Sequence, residues 1–79
     1  MRREKKLRLV VTFHTTAAAL KTERTAKDAG LEGRLIPVPR ELSAGCGLAW
    51  SAPPETGPRL LALLREKNVE CAETCELLL

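Results

Sequence analysis

With 79 residues, 44% of them hydrophobic and 29% charged, the chain has the size and balance of one small folded domain and not of a disordered segment. No apolar run approaches the roughly 20 residues that a membrane helix needs, and no stretch has the form of a cleavable secretory signal, so a cytoplasmic protein without a membrane partner is expected. The formal charge of +3 gathers at one end: residues 1–6 hold four bases and one acid, and residues 7–79 carry nine of each sign. Residues 1–6 therefore read as a solvated basic tail and 7–79 as a single domain. Phe13 and Trp50 are the aromatic residues, which leaves an aliphatic core to be built from Leu, Val, Ile and Ala.

Leu7 to Phe13 is short and rich in β-branched residues, as a strand would be. His14-Thr15-Thr16 precedes an alanine run, and threonine there is an N-cap signal for a helix over Ala17–Ala29. Ala19, Thr22, Ala26 and Ala29 give that helix a small face that can lie close on a sheet, and Gly30 ends it. Arg34–Val38 reads as a second strand, at a sheet edge because Pro37 has no N–H to donate. Gly47–Ser51 is a third. Pro58 suits the start of a second helix, with Leu60, Leu61, Leu63 and Leu64 as its apolar stripe and its end near Lys67. The last strand is expected from about Val69 through Cys71 toward Leu79.

The order β-α-β-β-α-β is the ferredoxin-like α+β plan, an antiparallel sheet with two helices on one face. In that plan strands 1 and 2 run the same way with strand 3 between them, so both finish at one end of the sheet. The start of helix 1, around His14 to Ala17, should then sit beside the loop after strand 2. Cys71, at the start of strand 4, should approach the same end to within about 10–14 Å.

That loop holds the feature with the most chemical content. Cys46 stands between Gly45 and Gly47, after Pro37-Val38-Pro39-Arg40-Glu41-Leu42-Ser43. The prolines stiffen the approach, and the glycines free the backbone and leave the sulfur open. Three features favour a thiolate at Cys46: the positive N-terminal end of helix 1, with Thr15 and Thr16; Arg40 six residues earlier; and a glycine-flanked nest of backbone N–H groups. Each draws a thiol pKa below its free value of about 8.5. His14 is a candidate proton donor or anion contact, against a plain packing or capping role. Ser43 either donates to a bound anion or closes the turn. The bland alternative for Cys46 is a small residue at the mouth of a hairpin.

The three cysteines, Cys46, Cys71 and Cys75, form no paired framework, which suggests reduced thiols. Cys71 and Cys75 invite a metal reading, but a second close pair is missing and on a strand their sulfurs would stand about 13 Å apart. They read as half-buried packing residues, and neither a metal nor another cofactor is expected. An RNA-binding sheet would show several exposed aromatics, so nucleic acid is not an expected partner.

Thr12-Phe13-His14-Thr15-Thr16, then Arg34 to Ser43, then Cys46-Gly47-Leu48-Ala49 resemble the small prokaryotic family of selenium/sulfur carrier-like proteins. The resemblance covers about residues 8 to 70, with Pro-Arg-Glu-Leu-Ser…Cys-Gly its most specific block. It implies a stand-alone ferredoxin-like domain and a carrier role for the loop cysteine, here Cys46, with the motif's histidine on His14 and its arginine on Arg40. Cys71 and Cys75 lie outside the pattern. The expected function is a sulfur or selenium carrier that accepts the atom from a donor protein, holds it on Cys46 and delivers it to an acceptor protein, as a transfer partner more than a complete enzyme. The alternative is a non-catalytic binding or regulatory module that holds a small anion or a protein partner at the same loop.

Overall fold

The computed structural model describes residues 6–40, 42 and 46–79. Its elements are β1 (Leu7–Thr12), α1 (Thr16–Asp28), β2 (Arg34–Pro37), β3 (Leu48–Ala52), a 3₁₀ turn (Pro54–Thr56), α2 (Gly57–Glu66) and β4 (Glu73–Leu78). The strands form one antiparallel sheet in the order β2-β3-β1-β4. This is the α+β ferredoxin-like arrangement that the element order predicts. β2 lies at an edge, where Pro37 leaves no ladder bond unmade.

Both helices contribute to one apolar cluster. Ala19 and Ala26 of α1 and Leu60 and Leu64 of α2 meet Leu9 and Val11 of β1 and Trp50 and Ala52 of β3, with Phe13 fully buried among them. Alternation along a strand sends Arg8, Val10 and Thr12 of β1 to the opposite, helix-free face. Their cross-strand partners follow them there: Ser51 and Ala49 on β3, and Leu77, Cys75 and Glu73 on β4. Arg34 and Ile36 join through their pairing with Ser51 and Ala49.

The helix ends show how local sequence fixes these elements. Thr15 caps α1: its hydroxyl oxygen accepts from the Ala18 N–H at 3.1 Å. At the far end Gly30 adopts φ 73°, its N–H donates to Lys27 O, and the Leu31 N–H donates to Ala26 O. α2 closes the same way with a different residue. Asn68 takes φ 58°, its N–H donates to Arg65 O, and the Val69 N–H donates to Leu64 O. Both are left-handed caps in which two otherwise orphaned carbonyls are satisfied and an apolar residue is folded back onto the helix.

That second cap corrects the expected start of the last strand. Val69 is buried in the cluster as part of the α2 terminus, and residues 70–72 cross the end of the sheet before β4 begins at Glu73. The Ala72 N–H donates to Thr12 O at 2.8 Å, which brings the chain into register beside β1. Cys71 therefore precedes the strand instead of lying in it. Trp50 sits in the core, 2% exposed, against Gly33: a methyl group at Gly33 would stand 2.5 Å from the indole. Gly33 is glycine because the ring occupies the space of its side chain.

Candidate functional site

Sheet register places the sequence-predicted site. Thr12 pairs with both Ala49 and Glu73, and Pro37 pairs with Leu48. The ends of β1 and β2 and the starts of β3 and β4 thus share one end of the sheet. α1 leaves from that end, the β2–β3 loop crosses it, and the 69–72 segment arrives there.

The β2–β3 hairpin is drawn one step beyond the strands by the Val38 N–H, which donates to Gly47 O at 3.0 Å. Gly47 adopts φ 77° with open space around it, so its requirement is the left-handed backbone and not a close approach. Within the loop the Leu42 N–H donates to Pro39 O at 3.0 Å, a tight turn around exposed Arg40. Ser43 and Gly45 lie outside the described residues, as do 1–5 of the basic tail.

Cys46 is half-buried. It packs against the apolar cluster together with Leu48, and its thiol lies 3.5 Å from Leu48 O, which it can use as an acceptor. Ala18, in the first turn of α1, packs against the same cluster, as does half-buried Cys71. His14 and Thr16 are exposed on either side of the capping Thr15. The Thr15 hydroxyl and carbonyl oxygens accept from the Ala18 and Ala19 amides, leaving those of Thr16 and Ala17 at the open end of the helix. Cys46 thus stands on the hairpin loop with part of its surface exposed and part resting on the core.

The other two cysteines differ. Cys75 lies on the helix-free face opposite Val10, where burial and then the charge of Glu73, two residues away on the same face, push its thiol above the ordinary range. It is held as a thiol. All three cysteines are free, and among the described residues no three of His, Cys, Asp and Glu cluster to hold a metal ion. No helix among them is long and apolar enough to cross a membrane.

A second feature was not anticipated. Along the β2 side of the helix-free face a groove of about 530 Å³ opens, lined by Lys6, Arg8 and Leu79 at the far end of the sheet, by Arg34 and Ser51, and by Ile36 and Pro37 toward the hairpin. Arg8 is fixed in it: its Nε donates to Ser51 Oγ at 3.1 Å and its Nη2 to Ser51 O at 3.4 Å. The only sequence signal was alternation, Lys6-x-Arg8 and Arg34-x-Ile36, which acquires meaning once β1 and β2 are set on either side of β3.

Residues 8–76 fit the family model described as "Putative Se/S carrier protein-like". No curated protein and no solved structure matches the chain.

Proposed function

The chain belongs to the Se/S carrier-like family, and from that premise we propose that it carries a sulfur or selenium atom on Cys46 between a donor protein and an acceptor protein. The observation that carries the reading is the position of this thiol, half-exposed on the hairpin loop at the end of the sheet where α1 begins. Neither Cys71 nor Cys75 combines a loop position with a flanking left-handed glycine.

The transfer balances without an outside oxidant. The Cys46 thiolate attacks the outer sulfur of a donor persulfide, forming a Cys46 S–S bond as the donor S–S bond breaks, and the donor leaves as a thiolate. Cys46 then holds the sulfur as a persulfide, or its selenium counterpart from a donor perselenide. An acceptor nucleophile takes the outer atom in the reverse sense and returns the Cys46 thiolate. Arg40, the Thr16 amide and the backbone of Gly45 and Gly47 stabilise the anion in this scheme, aided by Thr15 and Ser43, and His14 supplies or removes the proton. A reducing cytoplasm keeps the three free cysteines available.

Intact-mass measurement after incubation with a small-molecule persulfide tests this. A gain of one sulfur atom, located on Cys46 by peptide mapping and abolished by Cys46→Ser, is the expected result. No adduct, or an adduct confined to Cys71 or Cys75, overturns the carrier role and leaves the binding-module alternative for the same loop.

A further inference from the structure

The groove along the β2 side of the helix-free face has a charge pattern that specifies its occupant. Three cationic side chains line it, Lys6, Arg8 and Arg34, and no Asp or Glu side chain does. Arg8 and Arg34 both border Ser51, one through its hydrogen bonds and the other through strand pairing. Because Ser51 accepts from one edge of the Arg8 guanidinium, the remaining N–H groups are presented in a fixed orientation, the condition under which arginine binds oxyanions best. Between the cations lie apolar surfaces of Ile36, Pro37 and Leu79.

We propose that this groove docks an acidic, partly apolar segment of a partner protein. Carboxylates of the segment would meet Lys6, Arg8 and Arg34, and an apolar side chain between them would rest on Ile36 and Leu79. A nucleic-acid strand fits less well. Phe13 and Trp50 are both buried under the helices and offer no stacking surface, and a phosphate backbone has nothing to place on the apolar floor. The chain before Lys6 adds Arg2, Arg3 and Lys5 against Glu4 in sequence, a net positive charge that strengthens the attraction for an acidic partner at long range.

The groove does not include Cys46, so the proposal stands or falls apart from the carrier reading. The test is an NMR titration of the ¹⁵N-labelled full chain with a short synthetic peptide of alternating Glu and Leu, at low and physiological salt. Expected are saturable shifts at Arg8, Arg34, Ile36, Ser51 and Leu79. Arg34→Glu, at an exposed position chosen because it should not disturb folding, should weaken binding roughly five- to tenfold, the scale of one charge-assisted contact. Lys6→Glu provides a second exposed variant with the same expectation. The proposal is overturned by an absence of shifts, by shifts elsewhere, by equal binding of the peptide with Gln in place of Glu, or by a single-stranded oligonucleotide that binds the groove more tightly than the peptide.

Discussion

The Cys46 loop and the basic groove are built on opposite principles. At the α1 end, the groups with chemical potential stand on connections: Cys46 on a hairpin loop, His14 before a helix cap, Arg40 on a turn. In the groove, the charged groups stand on or beside strands, and Arg8 is tied to Ser51 across the sheet. A nucleophile that must be approached and released by successive partners benefits from a loop. A docking surface benefits from groups held in place before the partner arrives, since less ordering is then needed on binding.

Substitutions can break this comparison one site at a time. The largest effect is expected from Phe13→Ala, which empties a fully buried site next to the α1 end. A loss of roughly 3–5 kcal/mol should bring a domain of this size close to unfolding, read as a large fall in Tm. Gly33→Ala comes next and acts at the other end. Its methyl group meets the Trp50 ring, and its backbone, at φ 153°, suits glycine alone, so a loss of about 2–3 kcal/mol is expected by denaturant titration.

Smaller changes sharpen the contrast. Thr15→Ala removes the cap of α1 and should cost about 1 kcal/mol while leaving peptide binding in the groove intact. Ser51→Ala should cost a similar amount, about 1 kcal/mol, but should weaken peptide binding and leave Cys46 persulfidation unchanged. If either substitution affected both sites alike, the separation would fail.

The smallest expected effect concerns Cys75. Its raised pKa means the folded chain keeps this proton at a pH where the unfolded chain has lost it. The associated stability is therefore full below the ordinary thiol pKa and declines as pH climbs through the raised value. Alkylation of Cys75 should set in at higher pH than that of a free thiol, and Glu73→Gln should move the onset part of the way back. Quantitative mass spectrometry of iodoacetamide labelling against pH reads both.

Much of the architecture could be read from residues acting locally. Val10 to Phe13, the Thr15 cap, Gly30 and Pro37 each express a preference that needs no distant partner, and each stands where that preference puts it. The start of β4 could not be read so. Val69 looks like the first residue of a strand, and only the left-handed turn at Asn68, with Val69 folded back over Leu64, turns it into the end of a helix. Asparagine tolerates this conformation better than most residues, but it advertises it less than glycine does. For the candidate site, the end of the sheet that holds Cys46 followed from strand direction alone. The Arg8–Ser51 contact, 43 positions apart in sequence, depended on register, and no local pattern states it. The basic character of the first residues was legible as charge, and its continuation into a groove was not.

The pairing of β1 with β4 has a consequence for how the molecule is made. Thr12 and Glu73 meet across 61 positions, and β1 stands between β3 and β4. During translation, β1 can find β3 and α1 early, but its other flank has no neighbour until the final described segment leaves the ribosome. For that interval an apolar ribbon with unsatisfied amides faces solvent, open to chance pairing with another nascent chain.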